Sequence, residues 1–133
     1  MLTVYPLIWS PDVAALSDWA VKTLGLRELW RNAKEDGSVD HAELEWHGGR
    51  VSLNELRDGA ESSGPSGIAL CLDEVVQVDA VHERAVAAGA KIVQGPEKSR
   101  VAYSFTAVDP DGNQWWVNAE TGFLDQLRNA GRS

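Results

Sequence analysis

The chain has 133 residues, the length of one ordinary domain, and its 44% apolar content is enough to bury a core. Twelve basic residues against 20 acidic ones leave a net charge of −8, which disfavours a phosphate-backbone partner and favours neutral or cationic small ligands. No run approaches the roughly 20 apolar residues of a membrane span. With Cys71 as the one cysteine, an intrachain disulfide framework and a thiolate zinc cluster are both excluded.

In chain order, "LTVYPLIW" (2–9) is rich in β-formers and predicts a strand. The start "MLTVYPLIWSPD" lacks the pattern of a signal peptide, so the cytoplasm is the expected compartment. A helix follows, with Ser10 as its cap, Pro11 in its first position and Asp12 at the positive end of its dipole. Leu16, Trp19, Ala20, Thr23 and Leu24 share one face of it, and Gly25 stops it. Three strands are expected near 27–33, 39–46 and 50–56, with "EDG" and "HGG" as turns. The Gly/Pro/Ser-rich stretch 58–66 reads as a linker between units at about 1–57 and 67–120.

The order then repeats. "GIALCLD" predicts a strand, with Cys71 expected in the core. "VVQVDAVHERAVAAGA" predicts a helix with Val78, Val81, Ala85 and Ala88 on one face, His82 on a solvated face, and Gly89 as the stop. "KIVQ" is a strand, "GPEKS" a loop, "RVAYSFTAV" a strand, "DPDG" a turn and "NQWWVN" a last strand. The tail, 121–133, can form a short helix through Phe123, Leu124 and Leu127. The helix-ending Gly25 and Gly89 are 64 positions apart, as are the hairpin glycines Gly48 and Gly112. Two βαβββ units follow from that repeat. The fold class is α+β, with each sheet carrying a helix on one face and the two units pairing into a cupped, incomplete β-barrel.

With "DPDGNQWW", "AVHERAVAAGAKIV" and "DHAELEWHGGRVSL", the chain resembles the vicinal oxygen chelate superfamily, which includes glyoxalase I, extradiol dioxygenases, fosfomycin-inactivating enzymes and bleomycin-resistance proteins. The resemblance covers about residues 3–120 as a single domain. Enzymes of that group hold one divalent metal in the cup, on the first and fourth strands of each unit, where it polarises neighbouring substrate oxygens. Carried over by motif, those places fall on Tyr5, Ser52, Gly67 and Trp116. None of these, nor any residue one step to either side, is a His or a carboxylate. The resemblance therefore implies a cup that has exchanged coordination for stacking, with no metal and no cofactor.

The expected ligand-binding residues are Tyr5, Trp9, Ser52, Asn54, Trp116 and Asn118. Trp115 and Trp116 are adjacent on a strand and must face opposite ways, with Trp116 toward the cup. Trp19 and Trp46 are expected in the core. Arg100 and Tyr103 differ in parity, so at most one can point inward. In "DHAELEWH", His41, Glu43, Glu45 and His47 share one strand face and read first as a wet surface, second as a His41–Glu43 base or ligand pair. The function expected is metal-free binding of a small aromatic or cationic compound, such as sequestration of an antibiotic, by a homodimer. The alternative is a metal-dependent lyase, isomerase or dioxygenase of the same group.

Overall fold

The computed structural model describes residues 4–56 and 66–131. The linker expected at 58–66 therefore lies outside the described residues except for Ser66. The elements are β1 (Leu7–Ser10), α1 (Val13–Trp19) running into a π-helical turn (Ala20–Leu24), β2 (Arg27–Ala33), β3 (Val39–Trp46) and β4 (Gly49–Glu55). The second half repeats them as β5 (Gly67–Leu72), α2 (Val75–Ala87), β6 (Lys91–Lys98), β7 (Ala102–Val108) and β8 (Gln114–Glu120), followed by α3 (Phe123–Ala130). Two four-stranded mixed sheets result, in the orders β1-β4-β3-β2 and β5-β8-β7-β6, and neither closes into a barrel. The first strand of each half pairs parallel to the last, and the other pairings are antiparallel. Among the described residues no helix is long and apolar enough to cross a membrane.

The 64-residue repeat has a backbone basis. Gly25 (φ 86°) and Gly89 (φ 80°) end the helical segments in left-handed geometry, and Gly48 (φ 88°) and Gly112 (φ 89°) sit in the matching hairpin turns. His47 shares that geometry (φ 45°) beside Gly48 and makes a two-residue turn that suits the strand twist.

Several local expectations change. Ser10 is the last residue of β1 and not the helix cap; Asp12 is the cap and accepts from the Ala15 N–H, so Pro11 precedes the helix. "GPEKS" is not a loop: β6 continues to Lys98 through register shifts, which an edge strand containing Pro96 tolerates because one side of its backbone needs no partner. Cys71 is exposed and not in the core, because the β5 alternation buries Ile68, Leu70 and Leu72 instead. His82 is half-buried, with its ring edge-on to Phe105 at 5.1 Å, so its helix face is not simply solvated.

Each sheet has a helix face and an open face. Ile8, Ala42, Leu44, Trp46, Val51 and Leu53 from the first sheet join Ile68, Leu70, Phe105, Trp115 and Val117 from the second in one core. Helix α1 leans across to the other half through Trp19, whose ring lies 5.8 Å from that of Trp115. Arg84 on α2 donates to the Lys22 and Val21 carbonyls, 3.0 Å each, and so satisfies a helix end that would otherwise be short of donors. Trp46 Nε1 donates to the Cys71 carbonyl at 2.9 Å.

The "DPDG" turn is organised by one buried carboxylate. Asp109 accepts from the Asp111 and Asn113 backbone N–H groups, the Asn113 side-chain amide and Trp115 Nε1, at 2.8–2.9 Å. Those bonds fix where β8 begins and hold Trp115 against the core. Asp109→Ala strands several buried donors and is expected to cost about 2–3 kcal/mol, read as a lowered urea midpoint with Trp fluorescence as the probe.

Candidate functional site

Strand alternation decides what the open faces carry. On β4, Arg50, Ser52 and Asn54 share the open face, and each lies opposite a β3 residue: Glu45, Glu43 and His41. On β1, Leu7 and Trp9 stand beside Ser52 and Asn54. On the second sheet, Trp116 lies between Ala69 and Thr106, and Asn118 between Cys71 and Ser104. Trp115 is fully buried and Trp116 half-buried, on opposite faces of β8.

The expected site residues divide among several places. Trp9 and Asn54 line a cavity of about 530 Å³ with Lys34, Asp40, His41, Glu55 and Leu56. Trp116 lines another of about 310 Å³ with Gly67, Ile68, Ala69, Thr106 and Gln114. Tyr5 lies under the guanidinium of Arg50, 5.0 Å from ring centroid to Cζ. Ser52 and Asn118 are buried. Asn118 Nδ2 faces the Leu70 and Trp116 carbonyls at 3.4 Å, which points its oxygen away from them, and that oxygen has no partner among the described residues. Neither Arg100 nor Tyr103 reaches an open face: Arg100 stacks on Phe123, and the Tyr103 hydroxyl donates to Asp79 on α2. That bond to a carboxylate raises the Tyr103 phenol above its usual range.

The polar strand "DHAELEWH" alternates as expected through Trp46, but His47 belongs to the turn. His41 Nδ1 meets Asn54 Oδ1 at 2.9 Å and Nε2 meets Glu43 Oε1 at 3.0 Å, with the Trp30 ring 5.4 Å away. Both ring nitrogens are engaged, so proton transfer or metal ligation by His41 must first break a hydrogen bond. Glu45 pairs with Arg27 at 3.1 Å. Tyr5, Ser52, Gly67 and Trp116, the places to which the resemblance carries the family's metal ligands, offer a phenol, a hydroxyl, no side chain and an indole, a donor set that does not fit a divalent cation; Tyr5 also precedes β1, which begins at Leu7. Among the described residues no three His, Cys, Asp or Glu side chains gather as ligands.

Arg50 went unnoticed in the sequence, although it shares strand and parity with Ser52 and Asn54. It lines a third cavity, of about 330 Å³, between Val4 and Pro6 ahead of β1, the Trp46–Val51 turn, and Ile68–Cys71 on β5. A signal was present: an arginine two residues before Ser52 on an alternating strand must face the same way.

The chain matches the family model for the Glyoxalase/Bleomycin resistance protein/Dioxygenase superfamily over residues 3–117, and it belongs to that family. No curated protein is similar enough to match. Among solved structures, TioX from Micromonospora sp. ML1 is 23% identical, with 90% of this chain and 98% of that one covered and a TM-score of 0.76. A lactoylglutathione lyase from Agrobacterium tumefaciens is 16% identical, with 92% and 95% covered and a TM-score of 0.70. A glyoxylase/bleomycin resistance protein/dioxygenase domain from Frankia sp. EAN1pec is 18% identical, with 90% and 97% covered and a TM-score of 0.70. At these identities the likeness is one of fold, on which unrelated chemistries are carried.

The link between the end of β1 and the β7–β8 turn is titratable. Ser10 Oγ donates to Asp111 Oδ2 at 2.6 Å. Burial raises the Asp111 carboxyl above its ordinary value, and nearby Asp109 and Asp12 add to this, while the Ser10 bond opposes it. A carboxyl raised on folding contributes stability below its ordinary value, and that contribution is lost as pH rises through the folded value. Asp111→Asn keeps the acceptor for Ser10 without the charge. Its urea midpoint is expected above that of the unaltered protein at pH 7, and the two midpoints should converge below about pH 4.

Proposed function

We propose that this protein binds a small, flat aromatic molecule without a metal ion, as a sequestering protein and not as an enzyme. The observation that carries the reading is Trp116. It stands at a position to which the resemblance carries one of the family's metal ligands, on an open sheet face, beside a cavity walled by the small residues Gly67 and Ala69. An indole cannot ligate a hard cation, but it offers a stacking surface worth about 0.5–1.5 kcal/mol per ring pair beyond area burial. Thr106 and Gln114 add polar groups at its rim. Trp9, Asn54 and the buried Ser52 and Asn118 are proposed to complete the lining, with Tyr5 held in place by Arg50. An antibiotic is one class of guest that suits such a surface, and the cytoplasm is the proposed place of action.

A homodimer is part of the proposal. Leu7, Trp9 and Trp30 leave about half of their surface exposed on the open face of the first sheet (55%, 48% and 53%). A second copy could cover them and bring the open face of one half over that of another, making two cups from four units. Sedimentation should then give about twice the 14.5 kDa of the chain.

The competing reading is a metal-dependent lyase, isomerase or dioxygenase, with His41 and Glu43 as relocated ligands. The two are in contact, but His41 has no free ring nitrogen. Calorimetric titration against a panel of flat aromatic compounds, charged and neutral, with and without EDTA, separates the two. Binding is expected to be indifferent to EDTA and to weaken about tenfold in Trp116→Ala. Stoichiometric divalent metal in the purified protein, with EDTA-sensitive binding or turnover, would favour the enzyme.

A further inference from the structure

We infer that Arg50 is an anion-binding residue and that the guest is an aromatic carboxylate, its ring on Trp116 and its carboxylate on the Arg50 guanidinium. The inference rests on the aromatic-binding reading and narrows it. The cavity beside Trp116 and the cavity lined by Arg50 share Ile68 and Ala69, so they adjoin along β5. Ala69 lies in register with Trp116 on the open face and lines both cavities.

Arg50 is poised for a ligand. Its guanidinium is set over the Tyr5 ring, which orients the plane by a cation–π contact. It donates no hydrogen bond to any described residue; its Nε is buried and faces Glu43 Oε2, likewise without a hydrogen bond, in an ion pair at 3.9 Å. The side chain as a whole is 37% exposed, and the outer nitrogens of its fork have no hydrogen-bond acceptor among the described residues. The two nearby carboxylates, Glu43 in its ion pair and Glu45, make no hydrogen bond to it. Glu43 directs Oε1 to His41 at 3.0 Å and keeps Oε2 3.9 Å from Arg50 Nε, beyond hydrogen-bonding distance. Glu45, opposite Arg50 across the strand pair, is committed to Arg27 at 3.1 Å. The planar fork of a guanidinium matches a carboxylate with two parallel bonds. The net charge of −8 would steer a cation toward the surface as a whole, but charges beyond a screening length of about 8–10 Å weigh little against direct bonds at the site.

The test compares three naphthalene probes by calorimetry at pH 7: 2-naphthoate, 2-naphthalenemethanol and 2-naphthylmethylammonium. The naphthoate is expected to bind about tenfold more tightly than the neutral probe, the effect of one charge-assisted contact. The cation should bind most weakly. Arg50→Gln should remove the preference for the anion, so that naphthoate and alcohol bind alike, while Arg50→Lys, which keeps the charge without the fork, should keep part of it. Thermal melts followed by circular dichroism check that both variants fold; if the Gln variant does not, the Lys variant carries the comparison. Equal affinities, a preference for the cation, or an anion preference that survives in a folded Arg50→Gln protein would overturn the assignment of Arg50 while leaving aromatic binding intact. Failure of all three probes to bind would overturn both readings together.

Discussion

Side chains leave a strand alternately to its two faces, and in this protein that constraint sorts structural residues from functional ones. Each half has one helix to cover one face of its sheet, so half of every strand enters the core and half stays on an open face. The adjacent Trp115 and Trp116 make the point. One indole is buried against Trp19 and tied through its N–H to Asp109, while the other stands on the uncovered face. A slip of one residue in β8 would exchange them. The buried carboxylate of Asp109 sets the first residue of that strand and thereby guards the register.

The two halves are similar in backbone and different in surface. The open face of the first sheet is charged and hydrogen-bonded within itself, with His41, Glu43, Glu45, Arg50 and Asn54 in mutual contact or register. That of the second carries Ala69, Cys71, Ser104, Thr106, Trp116 and Asn118, with Glu97 in register with Ser104 and Glu120 two residues beyond Asn118. A repeated architecture thus supplies two unlike faces, and the cavities lined by Arg50 and by Trp116 share Ile68 and Ala69 on β5.

The polar contacts that join the halves are chemically distinct. Ser10 with Asp111, Trp46 with the Cys71 carbonyl, and Arg84 with the end of the first helical segment each bridge residues far apart in sequence. Each also satisfies a polar group that would otherwise be left without a partner as the shared core excludes water. The arrangement of the two sheets follows from this polar matching as well as from apolar burial.

Much of the fold was legible along the chain because its signals are local. The glycines at 25, 48, 89 and 112 mark backbone turns that need left-handed geometry, and period-two alternation placed β3 and β8 with the correct faces. Element ends were less legible, since Ser10 could cap a helix or close a strand, and a distant partner, Asp111, accompanies the second outcome. Cys71 was misplaced because an apolar run cannot reveal which of its residues face inward. The chemical poverty of Tyr5, Ser52, Gly67 and Trp116 as metal donors needed only residue identity. The separation of Trp9 from Trp116, the engagement of both His41 nitrogens and the Arg50 guanidinium, ion-paired to Glu43 without a hydrogen bond, required the tertiary structure. Hydrogen-bond satisfaction and cavity walls depend on groups brought together across strands and across the two halves, and no local pattern along a chain encodes them.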